Sequence, residues 1–354
     1  MVAGITVGEL LERADAAEDL LLLDVRNEDE FAAWRLEARR PIETVHVPYF
    51  DFLEDAERSM ARIPANREVV VLCAKGGSSE MVAEMLAEAG RRACNVEGGM
   101  IAYGNHLESR PVPLPPGSRH EIHQVLRRGK GCLSYLVRCG AEAIVVDPCR
   151  HAGFYEELAR GLGARIVGVL ETHVHADHLS GGPRFAAHGR APVALDVGIE
   201  LVPAPGHTPD SKLVVVAGTH VLSGDTLFVA GVGRPDLGGE VVPWAKELFR
   251  TLRERVALLA DDAIVLPAHF ASSAEIGADG IVSARLGDLR RTVPELSICD
   301  ESAFVRAMES SARPAPEAYA RIVRVNRGLE DATDDLAAEW ELGKNQCAAS
   351  AHGR

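Results

Sequence analysis

The stretch Thr172-His173-Val174-His175-Ala176-Asp177-His178-Leu179-Ser180-Gly181-Gly182 decides how this chain is read. Before it, Ile166-Val167-Gly168-Val169-Leu170 is apolar and β-branched, which predicts a buried strand running straight into the loop. His173, His175, Asp177 and His178 then stand where that strand ends, a place from which a rigid scaffold presents side chains to a cleft. Neutral imidazoles and a carboxylate hold Zn(II) or Fe(II), and one strand-end loop can aim several of them at a single point. More donors follow, each after a strand-like run: His207 in the turn Pro205-Gly206-His207-Thr208-Pro209, Asp225 in Ser223-Gly224-Asp225-Thr226, and His269 at the end of Ile264-Val265-Leu266-Pro267-Ala268-His269.

In this order the donors resemble the metallo-β-lactamase superfamily, whose H-x-H-x-D-H motif is followed by a later His, a later Asp and a last His. The resemblance covers about residues 121–280. It implies an αββα sandwich with a metal at one edge of its two sheets. Asp147, ending the run Ala143-Ile144-Val145-Val146, matches the superfamily's early aspartate, expected as a structural support.

At 354 residues the chain has room for two or three domains. A net charge of −14 argues against a nucleic-acid surface. No apolar run approaches membrane-spanning length, and the start lacks a basic segment followed by an apolar core, so a cytoplasmic protein is expected. Seven cysteines without framework spacing suit a reducing compartment.

Residues 1–109 read as an α/β domain. Leu20-Leu21-Leu22-Leu23-Asp24 and Glu68-Val69-Val70-Val71-Leu72 are almost continuously apolar, as central strands of a parallel sheet are. From near Ser79, Met81, Val82, Met85, Leu86 and Ala89 form a helical apolar stripe. Between them lies Cys73-Ala74-Lys75-Gly76-Gly77-Ser78-Ser79. A cysteine in a glycine-containing loop at a helix N-terminus meets backbone N–H groups and the positive dipole end, and Lys75 adds a cation, so the thiolate is favoured. With Asp24-Val25-Arg26, Glu30-Phe31 and His46-Val47-Pro48, the loop resembles a rhodanese domain. That resemblance implies a persulfide on Cys73, with Lys75, Gly76, Gly77 and Ser78 binding the sulfur's surroundings. Many thiosulfate-using rhodaneses end this loop in arginine; Ser78 or Ser79 in its place argues against thiosulfate as the preferred donor.

The prolines of Arg110-Pro111-Val112-Pro113-Leu114-Pro115-Pro116-Gly117 predict a semi-rigid spacer over residues 110–119. The metal domain is then expected over 120–282, and a helical extension over 283–354 that roofs the cleft or makes a homodimer contact, its end with Cys347 mobile. Cys132, Cys139 and Cys149 read as core residues.

Gly224-Asp225-Thr226-Leu227-Phe228 through Gly233-Arg234-Pro235-Asp236-Leu237, together with Thr172–Gly182, resembles the persulfide dioxygenase branch of the superfamily. A rhodanese module in the same chain points the same way, although in better-known fusions it follows the dioxygenase. The resemblance implies one Fe(II) per chain held by His173, His207 and Asp225, acting on a glutathione persulfide-like thiol persulfide with O2. His175, Asp177, His178 and His269 then orient ligands or relay protons, His175 and Asp177 being the catalytic expectations. Arg234 and Tyr135 are expected to hold the substrate. The alternative is a dinuclear Zn(II) thioester hydrolase of the glyoxalase II type, in which Asp177, His178 and His269 take a second metal.

Overall fold

The leucine- and valine-rich runs become the centre of a five-stranded parallel sheet. In chain order its strands are β1 (Ala3–Ile5), β2 (Leu20–Asp24), β3 (Glu43–His46), β4 (Glu68–Leu72) and β5 (Ala93–Val96), arranged β1-β5-β4-β2-β3. Helices cover both faces, which is why β2 and β4 carry apolar side chains on both sides. The computed structural model describes residues 2–188 and 195–348, so the last six residues of the expected tail lie outside the described residues. The helix after Cys73 spans Gly77–Glu88, but its buried stripe is Ser79, Val82, Ala83 and Leu86. Met81 is exposed and Met85 only half-buried, because the helix is rotated to put the small Ser79 and Ala83 against the sheet.

Two further sheets face each other. One holds β6 (Glu108–Pro111), β7 (His120–Arg127), β8 (Cys132–Cys139), β9 (Glu142–Val146) and β10 (Arg165–Leu170), in the order β10-β9-β8-β7-β6. The other holds β11 (Ile199–Pro203), β12 (Lys212–Val216), β13 (His220–Gly224), β14 (Ile264–Pro267) and β15 (Ala284–Arg285), in that order. Ile122, Leu133, Val137, Ile144, Val214 and Leu266 close the space between them. Helix Ala152–Gly161 covers the first sheet outside, and helix Val241–Glu254 the second. The architecture is therefore a rhodanese domain followed by an αββα metallo-β-lactamase sandwich with a helical C-terminal region.

Two expected boundaries shift. The spacer begins as a strand, since β6 pairs antiparallel with β7 from Glu108↔Leu126 to Pro111↔His123. Pro111 is tolerated because β6 is an edge strand. The extension is also less separate than expected: Leu286, Leu289, Val293, Phe304 and Met308 pack into the core beneath helix Val241–Glu254. Only helices Glu317–Asn326 and Asp334–Trp340 form an outlying layer, whose Ile322 and Ala337 pack on Leu179 of the histidine loop.

The rhodanese domain packs closely on the sandwich. Trp34 Nε1 donates to the Gly129 carbonyl at 3.0 Å, Arg127 Nε to that of Gly104 at 2.6 Å, and Arg128 pairs with Asp15 at 2.8 Å. The β7–β8 turn is thus wedged into the first domain. No helix among the described residues is long and apolar enough to cross a membrane.

Candidate metal centre and sulfur-binding loop

Every expected donor arises at the C-terminal end of a strand. β9 and β10 run parallel, as do β13 and β14, so Asp147, the His173 loop, Asp225 and His269 emerge on the same edge. His207 is brought over by the turn between β11 and β12. There, one ligand atom each from His173, His207 and Asp225 lie within 4.8 Å of one another, all buried. Asp225 Oδ2 stands 3.3 Å from His207 Nε2 and 3.6 Å from His173 Nε2. Asp225 Oδ2 and His173 Nε2 are buried without a hydrogen-bond partner. A buried carboxylate oxygen and imidazole nitrogen left bare carry a desolvation cost that a cation would relieve. The residues present therefore fit a metal ion.

Their far sides are fixed by neighbours. His207 Nδ1 donates to the Arg234 carbonyl at 3.0 Å, which leaves Nε2 as the lone-pair nitrogen. His173 Nδ1 lies 3.0 Å from Thr172 Oγ1, which itself donates to Asp147 Oδ2 at 2.8 Å. Asp147 Oδ1 also accepts from the Thr172 amide at 2.6 Å. Asp147 holds a left-handed backbone at φ 52, a strained position for a residue with a side chain. Its aspartate oxygens thereby reach back to the loop, the supporting role expected of it.

His175 lies beside this set, its ring 4.3 Å from that of His173 and 4.3 Å from that of His178, with both nitrogens bare. Its Nε2 lies 3.2 Å from Asp147 Oδ1 and 3.3 Å from Glu171 Oε2. Burial would push its pKa down, but Asp147 and Glu171 outweigh this and raise it above the ordinary value. A second group gathers Cys132, Asp177, His178 and His269. Here the donors are tied to one another: His269 Nε2 to Asp177 Oδ2 at 3.1 Å, His178 Nδ1 to Asp177 Oδ1 at 3.1 Å, and Cys132 Sγ to Asp177 Oδ2 at 3.1 Å. His269 Nδ1 meets Asp225 Oδ1 at 2.6 Å. Against burial, the two aspartates raise the pKa of His269 well above the usual value.

Arg234 and Tyr135, expected to hold substrate, are otherwise engaged. Arg234 is buried, and its guanidinium binds both oxygens of Asp236 at 2.5 and 2.6 Å and reaches the carbonyls of Gln346 and Arg313. It clamps the C-terminal segment, and its own carbonyl orients His207. The Tyr135 hydroxyl lies between the sheets, donating to the Pro267 carbonyl at 2.5 Å. The glycines of this loop have a local reason too: a Cβ on Gly233 would stand 1.8 Å from the Asp225 carbonyl oxygen and 3.0 Å from His207 Nδ1. Only glycine lets the loop pack this closely on the Asp225 backbone and the His207 ring.

In the first domain Cys73 directly follows β4, buried, with its Sγ 3.1 Å from the Gly76 amide and 3.0 Å from Ser79 Oγ. The hydroxyl that reaches the sulfur is that of Ser79, so Ser78 has no such contact. Gly77 opens the helix and Lys75 is exposed. Arg26 is held by Asp24 at 2.7 Å and donates to the Trp34 and Glu30 carbonyls, while His46 Nε2 meets the Arg26 carbonyl at 2.8 Å. These contacts gather the other rhodanese-like motifs around one support. Lys75 and Ala74 border a cleft of about 570 Å3 that Trp340, Gly343 and Gln346 also line.

A profile of the rhodanese-like domain matches residues 6–106, and one of the metallo-beta-lactamase superfamily residues 127–200. A hydroxyacylglutathione hydrolase of Anaeromyxobacter dehalogenans is 30% identical over 258 residues, covering 64% of this chain and 93% of that protein. The chain belongs to the metallo-β-lactamase superfamily. Among other superfamily relatives, the human mitochondrial persulfide dioxygenase ETHE1 is 26% identical over 201 residues, 50% of this chain and 74% of that protein. The chain spans 61% of a Polaromonas hydroxyacylglutathione hydrolase, at 32% identity over 166 residues and 38% of its own length. A metallo-beta-lactamase structure from Staphylococcus aureus superposes with a TM-score of 0.55 at 26% identity, over 60% of this chain and 74% of that one. ETHE1 from Myxococcus xanthus, at 22% identity and a TM-score of 0.52 over 58% and 97%, shares the fold.

Several residues at this superfamily site had no signal in the sequence. Cys347, expected to be mobile, is buried with its sulfur within 4.8 Å of ligand atoms of Asp225 and His269. Cys132, read as core, contacts Asp177. Glu341 is buried, pairs with Arg127 at 2.8 Å and Arg150 at 3.2 Å, and accepts from the Leu179 amide of the histidine loop at 2.8 Å. Asn326 donates to the carbonyls of His175 and His178 at 2.8 and 2.9 Å. A lone acidic or amide residue in a helical tail looks like any solvated surface residue until its partners are known.

Proposed function

We propose that this protein is a mononuclear non-haem iron persulfide dioxygenase that works with its own rhodanese sulfurtransferase domain. Its substrate is a low-molecular-weight thiol persulfide of the glutathione persulfide type. His173, His207 and Asp225 would hold the ion, since two imidazoles and one carboxylate on one face suit Fe(II) and leave positions open. When bound, the iron supplies O2 chemistry: persulfide, O2 and water yield thiol, sulfite and two protons, four electrons passing from sulfur to O2. The chain's own residues orient the donors through Thr172–Asp147 and the Arg234 carbonyl. His269, bound to Asp225 Oδ1, fixes that carboxylate so that Oδ2 faces the imidazoles. Cys73 would supply or take up sulfane sulfur.

One observation carries this reading: His173, His207 and Asp225 form a compact set of two imidazoles and one carboxylate with His173 Nε2 and Asp225 Oδ2 bare, whereas in the second group, where His178 Nε2 is bare too, His269 is bound at both ring nitrogens and Asp177 at both oxygens, and His175, bare at both nitrogens, lies beside Asp147 and Glu171. The second reading, a dinuclear zinc thioester hydrolase, is favoured by the proximity of Cys132, Asp177, His178 and His269 and by the hydrolase relatives at 30 and 32% identity. Elemental analysis of protein purified without air, with O2 uptake on glutathione persulfide and cleavage of a glutathione thioester measured side by side, separates them. One iron with O2 uptake is expected; two zincs with thioester cleavage would replace the first reading by the second.

A further inference from the structure

We propose that Cys347 is a second sulfur-carrying thiol, which takes sulfane sulfur from Cys73 and presents it at the metal centre as a protein-bound persulfide. The proposal rests on the dioxygenase reading for what becomes of the sulfur afterwards. Three placements lead to it. Cys347 is buried with its sulfur beside Asp225 and His269, in an apolar cluster with Ala176, Phe228 and Tyr319. The bare Asp225 Oδ2 and His173 Nε2 belong to the same buried centre, so the thiol stands next to a site built for a ligand. The segment that carries it, Gly343–Gln346, also lines the cleft that Ala74 and Lys75 border.

In its resting place the segment is held by contacts that the transfer must release. Asn345 donates to the carbonyls of Lys130 and Gly131 at 3.0 Å, the Gln346 amide donates to Tyr319 Oη at 2.8 Å, and the Arg234 amide donates to the Cys347 carbonyl at 3.0 Å. Before it, Glu341 is anchored by Arg127 and Arg150. Between anchor and thiol, Gly343 has φ +82 and open space where a Cβ would be, a point about which the segment can turn. Four extended residues beyond it reach about 14 Å, enough for such a turn to carry the thiol out of its apolar cluster towards the cleft that its own segment lines.

The transfer balances without an added oxidant. The Cys347 sulfur attacks the outer sulfur of the Cys73 persulfide, the old S–S bond breaks as the new one forms, and Cys73 leaves as a thiol that takes up the proton Cys347 gives up. No net oxidation occurs until the sulfur is back beside the metal donors.

The test uses the full, iron-loaded chain. Cys73 is loaded without air using glutathione persulfide, small molecules are removed by gel filtration, and alkylated peptides are followed by mass spectrometry. The mass of one added sulfur atom should move from the Cys73 peptide to the Cys347 peptide with time. Admitting O2 should then release about one sulfite per loaded chain with no thiol added. In Cys347→Ser the sulfur should stay on Cys73, and thiol-free sulfite should fall at least tenfold. A wild-type chain whose sulfur never reaches Cys347 overturns the proposal, whatever the variant does. Failure of the dioxygenase reading looks different: no O2 uptake even on excess glutathione persulfide, whereas the sulfur transfer is read before O2 is admitted.

Discussion

Glu341 and Arg127 form a buried ion pair at 2.8 Å that ties the C-terminal tail to the turn holding the two domains together. Arg127 also donates to Gly104 and Asn105 of the rhodanese domain, and Glu341 accepts from Leu179 in the histidine loop. One contact network therefore runs from the first domain through the tail to the metal edge.

This pair sets an acid limit on stability. Although burial works against it, Arg127 and Arg150 hold the Glu341 carboxyl down from its ordinary 4.5 to about 2. A depressed carboxyl pKa contributes stability that is complete above 4.5 and is lost as pH falls from there towards 2, at most about 3 kcal/mol for this group. Glu341→Gln should remove that pH-dependent part and cost about 3 kcal/mol at neutral pH by stranding buried guanidiniums. Denaturant unfolding at pH 7 and near pH 3 checks both: wild type and variant should converge on acidification, and a constant gap would refute the linkage.

Asp225→Asn should abolish tight metal binding, because the charged oxygen facing both imidazoles is lost. Asp147→Asn, one bond removed through Thr172, should weaken binding about 10- to 100-fold. Metal titration with a chromogenic competitor reads both. Equal loss in the two variants would mean that Asp147 binds metal directly. Wild type should also gain thermal stability with metal, about 4 kcal/mol at a thousandfold excess over Kd, and lose it to a chelator.

How far the sequence discloses these things depends on whether their cause is local. The strands announce themselves because β2, β4 and β10 are continuous apolar runs, and His173, His207, Asp225 and His269 stand out because each directly follows one. The edge strand β6 hides in a proline-rich stretch, since only its pairing with β7 makes it a strand. Arg234 is legible as a cation near the site, but its bidentate bond to Asp236 is a matter of side-chain direction, which spacing does not report. Glu341 and Cys347 gain their places from partners far along the chain, so no local pattern marks them.

Gly233→Ala should damage the site without touching a donor. The new methyl would meet the Asp225 carbonyl oxygen at 1.8 Å, so the loop must retreat and take the Arg234 carbonyl away from His207. A loss of about 2 kcal/mol in stability and a clear drop in metal content are expected. Unaltered metal content would show that the loop does not orient His207.

Cys73→Ser should eliminate sulfur transfer while O2 uptake on supplied persulfide continues, because the thiol lies in the other domain. Ser79→Ala is the finer probe. The Ser79 hydroxyl stands 3.0 Å from Cys73 Sγ and 2.7 Å from Asn95 Oδ1, and it has one proton to give. If that proton goes to the sulfur as charge builds there, its loss costs roughly 1.5 kcal/mol, about tenfold in sulfur transfer. The Gly76 amide, which also points at the sulfur, would remain. Cyanolysis with a supplied sulfane donor measures the rate, and an undiminished rate would assign the hydroxyl proton to Asn95 or the Gly76 carbonyl, which lies 3.0 Å away.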